Sequence, residues 1–348
     1  MYFASDNAGP AHPAIMDALV EANAGYAMGY GADPIMAEVR QQIRDVFEAP
    51  DAAVYLVING TSANSLLLAT MCQPWQTIFC TDVAHIHEDE CNAPEFYTQA
   101  KLTLVPAEAG KMTAAALRRK ISGEETRGVH GPQRGPVSLT QVTEKGTVYT
   151  LDEIKSLTDV AREFNLATHL DGARFANALV ALDCTPAEMT WKSGIDAVSF
   201  GGTKNGAVGV EACVIFDPKL AAEFEYRRKR GGHLLSKHRY LSAQMQAYLA
   251  DDLWLDLARK ANARTAQLAE GLRVHNTAQM LFDPQANIIF FDIPRREHQR
   301  MLASGAVYYV MSGDPDAGDP DEMLTARLVT DWSMTADGVS QFLTLLHG

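Results

Sequence analysis

Lys204 lies in the glycine-bracketed segment "SFGGTKNG", directly after the apolar stretch Ile195-Asp196-Ala197-Val198. An ammonium at such a strand end must be partly desolvated, which suits an amine placed for nucleophilic work; the other reading is an ordinary turn residue. Asp171 and Arg174, in "HLDGARF", follow another apolar run. They can serve a ligand or simply pair with each other. In "INGTSANS" an apolar run leads into Gly60, Thr61 and Ser62 and then into a helical pattern. Backbone N–H groups at a helix start, with two hydroxyls beside them, make a phosphate cradle or a plain N-cap. The spacing is not that of a Walker A loop. His85, in "DVAHIHEDE", is the fourth candidate. The pattern His85-x-His87 with Glu88 offers fewer ligands than the three or four that zinc takes, so no metal is expected.

Each feature alone is weak, but in chain order they supply a cradle, an imidazole, an acid and an amine. Pyridoxal 5′-phosphate needs that set. Its aldehyde requires a lysine, its pyridine nitrogen a carboxylate, its phosphate a helix N-terminus and its flat ring a stacked side chain. Lys204 then reads as the Schiff-base lysine.

These residues need a scaffold that brings strand ends together. Short β-rich runs such as "AVYLVI", "TIFC", "KLTLV", "PVSLTQV", "LATHLD", "DAVSF" and "EACVIF" alternate with helical patterns such as "SANSLLLATM" and "LDEIKSLTDVAREF". That alternation predicts an α/β protein with a parallel sheet covered by helices, binding ligands outside the carboxyl ends of its strands. Around residue 240 the pattern changes. A long helix is expected from about Leu241 to Leu272, followed by "NIIFFDI", "AVYYVM" and "LTARLVTDW" with helical pieces between them. The expected division is a large domain over 1–240 and a smaller α+β domain over 241–348.

A chain of 348 residues can bury a large core. Its formal net charge of −13 argues against nucleic acid or an anionic membrane as partner. The basic run Arg227–Arg230, followed by Lys237, His238 and Arg239, is either a solvated helix end or a local anion site. No apolar run approaches the ~20 residues of a membrane span, and the first residues carry no secretory pattern. The five scattered cysteines read as reduced thiols, so a cytoplasmic location is expected.

Longer motifs sharpen the picture: "YGADP", "NGTSAN", "DECNAPEF", "LDGARFANALV", "TWKSGIDAVSFGGTKNG", "YRRKRGGHL" and "DDLWLDLARKANA". With these, almost the whole chain resembles the fold-type-I pyridoxal-phosphate aldolases acting on β-hydroxy-α-amino acids, the low-specificity L-threonine and phenylserine aldolase family. The resemblance implies retro-aldol cleavage of L-threonine, L-allo-threonine or L-phenylserine to glycine and an aldehyde. It implies that Lys204 holds the cofactor, Asp171 faces the pyridine nitrogen and His85 stacks on the ring. Gly60, Thr61 and Ser62 would hold the phosphate, together with Lys237 where relatives carry arginine. Ser5, Arg174 and Arg327 would bind the substrate carboxylate. It further implies a homotetramer built from dimers, with Tyr30 lent to a neighbour's site. Many relatives carry a histidine where this chain has Glu144, which leaves His85 and Glu144 as candidates for the base. A β-eliminating lyase or aminotransferase would need the same cradle, acid and lysine, and a nucleotide-binding protein remains a rival from another class.

Overall fold

A computed structural model describes all 348 residues, Met1–Gly348. The large sheet takes β1 (Ala53–Val57), β2 (Gln76–Thr81) and β3 (Lys101–Val105). After a small hairpin of β4 (Ala107–Glu108) and β5 (Lys111–Met112) it adds β6 (Gln133–Thr140), β7 (Thr168–Gly172), β8 (Ala197–Gly201) and β9 (Glu211–Ile215). The strand order is β1-β9-β8-β7-β6-β2-β3. Pairing is parallel from β3 through β8, and only β9 is reversed, running antiparallel to both β8 and β1. Every residue of β7, β8 and β9 is buried. That is the burial of strands covered on both faces, and it explains why their sequences run apolar without alternation. The architecture is that of a mostly parallel α/β protein, as expected.

A second, antiparallel sheet holds β10 (Gln279–Met280), β11 (Ile288–Pro294), β12 (Tyr309–Val310) and β13 (Met323–Val329) in the order β10-β11-β13-β12. Its core gathers Leu268, Phe291, Leu328 and Phe342, and Phe3 from the chain start packs with them. Phe3 is tied in by backbone: its N–H donates to the Val307 carbonyl at 2.7 Å and its own carbonyl accepts the Val329 N–H at 2.8 Å. This anchoring delivers Ser5, Asp6 and Asn7 to the mouth of the large sheet. No helix is long and apolar enough to cross a membrane.

The single long helix expected from Leu241 to Leu272 is not formed. The chain instead makes two helices, Arg239–Leu249 and Leu253–Arg273, separated at Asp251 and Asp252, which take left-handed φ values of 50° and 55°. Aspartate tolerates that conformation better than most residues because its short side chain bonds locally. The break has a structural use. It lets Tyr248 and Trp254 flank the Lys204 loop from two directions: the Asn205 amide donates to the Tyr248 hydroxyl and to the Trp254 carbonyl, both at 2.8 Å.

Candidate active site

The carboxyl ends of the parallel strands converge as the topology requires. β1 runs into the helix Gly60–Met71, β2 into the short helix His85–Glu88, β6 toward Glu144, β7 ends around Asp171, and β8 leads into the Lys204 loop. Two cavities open there. The inner one, of about 190 Å³, is lined by Gly60, Thr61, Asn64, His85, Glu90, Asp171, Thr203, Lys204 and Glu211 among others. The outer one, of about 610 Å³, is lined by Ser5, Asp89, Glu144, Arg174, Phe290, Tyr309 and Arg327 among others. Asn7, His85 and Lys204 line both, so the two are continuous.

The lysine loop is held tightly against β7. A Cβ on Gly201 would lie 2.5 Å from the Ala173 carbonyl oxygen, and Gly206 turns the chain at φ +103°. Only glycine fits both demands. Loss of solvent around the Lys204 ammonium lowers its pKa, and the nearby Arg174 charge lowers it further, against the pull of Asp6, Asp171 and Glu211. The sign favours a neutral, nucleophilic amine at lower pH than an ordinary lysine allows.

At the start of the helix Gly60–Met71, Asn59 is the N-cap, and its Oδ1 accepts the Ser62 N–H at 2.8 Å. The Ser62 hydroxyl turns back to donate to the Asn59 carbonyl at 2.8 Å, so Ser62 builds the cap and does not face the cavity. The N–H groups of Gly60 and Thr61, in the first turn, lack intrahelical acceptors, and both residues face the inner cavity. This is the donor arrangement an anion needs.

Asp171 does not pair with Arg174. Its Oδ2 accepts from Asn64 Nδ2 at 2.9 Å and its Oδ1 from the Ala173 N–H at 3.0 Å, which leaves the carboxylate fixed at the cavity wall. Arg174 instead donates twice to Asp6, Nε to Oδ2 at 2.6 Å and Nη2 to Oδ1 at 2.9 Å. Burial alone would raise the Asp6 carboxyl, but the charges of Arg174 and Lys204 outweigh it and hold Asp6 below the usual carboxylate range. The ion pair that the motif "LDGAR" suggested locally is thus made through space by the N-terminal segment. A neighbouring donor explains the switch: Asn64 already occupies Asp171.

The same Asn64 amide nitrogen also donates to Glu90 Oε1 at 2.9 Å, and that oxygen faces His85 Nδ1 at 2.9 Å. Glu90 has no exposed side-chain surface. Its hydrogen bond raises the His85 pKa, opposed by burial. Glu144 Oε1 accepts the His85 backbone N–H at 2.8 Å, whereas its Oε2 is enclosed without a partner. Burial raises the Glu144 pKa. His85 and Glu144 therefore stand side by side at the junction of the cavities.

Arg327, on β13, donates to the Ala4 carbonyl at 3.4 Å and reaches the outer cavity beside Tyr309, its cross-strand partner. Ser5 lines the same cavity and caps Asn7. Lys237 and Tyr30 are exposed and line neither cavity. The basic run is neither uniformly solvated nor a single anion site. Arg227 pairs with Glu223, Arg228 is buried and donates to the Leu56 carbonyl, and Lys229 lies over the Tyr30 ring. His87 pairs with Glu88 at 3.3 Å, and no group of three or more ligating side chains is arranged to hold a metal ion. Sequence reasoning missed Asp6, Asn64, Glu90 and Glu211. The available signal was a polar residue, Asn64, inside an otherwise small and apolar helix face.

Comparison with known proteins matches residues 2–294 to the family "Beta-eliminating lyase". The low-specificity L-threonine aldolase of Pseudomonas aeruginosa is 40% identical over 316 residues, covering 90% of each chain. That of Pseudomonas sp. (strain NCIMB 10558) is 40% identical over 336 residues, covering 94% of this chain and 96% of the relative. Among solved structures, a threonine aldolase of Leishmania major superposes with a TM-score of 0.92 at 26% identity, over 99% of this chain and 98% of that one.

Proposed function

The chain belongs to the β-eliminating lyase family, and from that membership and its site we propose that it is a pyridoxal 5′-phosphate-dependent aldolase. It cleaves L-β-hydroxy-α-amino acids such as L-threonine and L-allo-threonine, and L-phenylserine, to glycine and an aldehyde. The observation that carries the reading is one cavity holding Lys204, Asp171 and the open N–H groups of Gly60 and Thr61. It pairs an amine of lowered pKa with an acid and an anion cradle, which fits this cofactor's aldehyde, ring nitrogen and phosphate.

When bound, the cofactor supplies a carbonyl that condenses with amines and a π system that accepts the electrons of a bond broken at Cα. Lys204 would provide the tethering amine, and Asp171, held in place by Asn64 and Ala173, would serve the ring nitrogen. His85 would offer its ring face to the cofactor and Gly60 and Thr61 would receive its phosphate, with Ser62 bracing their turn. Arg174, oriented by Asp6, and Arg327, with Ser5, clamp the substrate carboxylate. Such a clamp would fix the orientation of the substrate's Cα–Cβ bond, the bond that breaks. His85 takes the proton of the β-hydroxyl, the aldehyde carbonyl forms as the Cα–Cβ bond opens, and a proton returned to Cα yields glycine. Glu144, bonded to the His85 backbone, positions that base or a water beside it.

The reading extends to a cytoplasmic homotetramer in which Tyr30 is lent to a neighbour's site. Sedimentation at enzyme-assay concentrations tests the assembly. The activity test is parallel assay of L-threonine, L-allo-threonine and L-phenylserine for glycine and aldehyde, set beside keto-acid formation. Keto acid without glycine would make the enzyme an eliminating lyase or aminotransferase, and a colourless protein with neither product would remove the cofactor reading.

A further inference from the structure

Glu211 is a buried carboxylate of the inner cavity to which the reaction above gives no task. Strand alternation puts Glu211, Cys213 and Ile215 on one face of β9. Cys213 and Ile215 pack with Ala63, Leu66 and Leu67 of the helix Gly60–Met71. Glu211 sits at the other end of the strand, opposite Val57, and so lies toward the first turn of that helix. It is only 5% exposed yet lines the cavity with Gly60, Thr61 and Lys204. Its Oε2 accepts the Gly202 N–H at 3.0 Å, which ties it to the lysine loop.

The groups facing it are few. Lys204 from the loop attracts it, Asp171 from β7 repels it, and the Thr203 hydroxyl donates to it. Tyr248 from the helix Arg239–Leu249 and Cys213 on its own strand also lie in its field, both held neutral by burial. It forms no salt bridge with an arginine. Burial dominates and raises its pKa to about 7. A phosphate monoester at the Gly60 and Thr61 N–H groups would bring further negative charge into the same enclosed space. Two close anions with so few donors cannot both stay ionised.

We infer that Glu211 is a working member of the anion cradle: a neutral carboxylic acid that donates its proton toward the bound phosphate monoester. The site thus takes up cofactor and a proton together. This rests on the cofactor reading above.

The test uses 4′-deoxypyridoxine 5′-phosphate, which has the ring and phosphate but no aldehyde to react with Lys204. Its affinity for the cofactor-stripped protein is measured against pH for wild type and Glu211→Gln. Titration of the free ligand is common to both proteins and divides out of the ratio. The variant's advantage should be near onefold at about pH 6.5 and grow toward ~100-fold by about pH 9, because each unit above the Glu211 pKa costs the wild type roughly tenfold. A ratio that stays constant with pH overturns the inference. Infrared difference spectra of the wild type alone give a second check. Probe binding at about pH 8.5 should add a protonated-carboxyl absorption, since the site would then load a proton it lacked; no gain overturns the inference even if the variant misfolds. Equal pH slopes alongside a borohydride-fixed pyridoxal phosphate adduct at Lys204 would reject the role of Glu211 alone. Failure of that adduct would reject the cofactor reading as well.

Discussion

The inner and outer cavities share Asn7, His85 and Lys204 but are built in different ways. The inner one is a product of the sheet. Lys204, Asp171 and Glu211 come from neighbouring strands of the large sheet, so their spacing is fixed by hydrogen-bond register. The outer one is assembled from the segment after Phe3, the loops after β2, β6, β7 and β8, and the second sheet, which contributes Phe290, Tyr309 and Arg327. Its arginines are oriented by groups far away in sequence, Asp6 for Arg174 and the Ala4 carbonyl for Arg327. Chemistry that must not move sits on the rigid scaffold, and recognition sits where two packed units meet. Changes at the reacting groups of the inner cavity should therefore cut turnover, and changes in the outer one should weaken binding.

The largest effect is expected at Lys204. Lys204→Ala should abolish turnover and the visible absorbance of the cofactor–lysine adduct while circular dichroism stays that of the parent. A borohydride-fixed adduct on a different lysine would break the assignment. Next comes the junction of the cavities. His85→Phe keeps an aromatic face for the ring but loses the base, so kcat for L-threonine should fall by roughly 10²-fold with cofactor affinity largely kept. Glu144→Gln keeps the acceptor oxygen for the His85 N–H and should cost less. The reverse ranking would move the base to Glu144, whose enclosed Oε2 and raised pKa would then be the relevant features.

This division also explains what could be read from the sequence. Lys204, Asp171 and Gly60 each follow an apolar run within a few residues, so local pattern places them at strand ends. The parallel α/β sheet follows from the alternation of strand and helix patterns, and the smaller sheet from the change of pattern near residue 240. Asp6 acts through Arg174, 168 positions away, Asn64 through Asp171 and Glu90, 107 and 26 positions away, and Glu211 is placed by strand pairing; no local pattern signals these contacts. The break at Asp251–Asp252 was hidden because the apolar periodicity continues on both sides of it. The supposed Asp171–Arg174 pair failed for a related reason. Sequence spacing shows which charges are near, but only the fold shows which donors are already committed.

In the outer cavity the comparison predicts a different kinetic signature. Arg327→Ala should raise KM for L-threonine by roughly 10- to 100-fold, the equivalent of ~1.5–3 kcal/mol for a charged hydrogen bond, with kcat much less affected. A comparable loss of glycine affinity would locate the effect at the carboxylate. Unchanged glycine binding would take Arg327 out of the clamp, and with it the claim that the second sheet takes part in recognition.

The smallest expected effect, and the one that discriminates best, concerns Glu90. Its side chain bonds the His85 ring and has no exposed surface, so it should tune the base without touching substrate. Its hydrogen bond is the main cause that raises the His85 pKa, ahead of the opposing effect of burial. A base must be neutral to accept a proton, so activity is lost as pH falls through that raised value, above the usual ~6.5 of histidine. Glu90→Gln keeps an oxygen toward Nδ1 but removes the charge that favours the imidazolium. The His85 pKa then falls, and the acid limb of kcat/KM should move to lower pH while the plateau changes by less than about tenfold. Linkage gives the matching stability signature. In the parent the raised pKa adds stability that is fully present below the unfolded value of ~6.5 and is lost as pH rises through the folded one. The variant should therefore lose thermal stability more at acid pH than at alkaline pH. A purely structural Glu90 would lower the melting temperature by the same amount at both and leave the acid limb where it was.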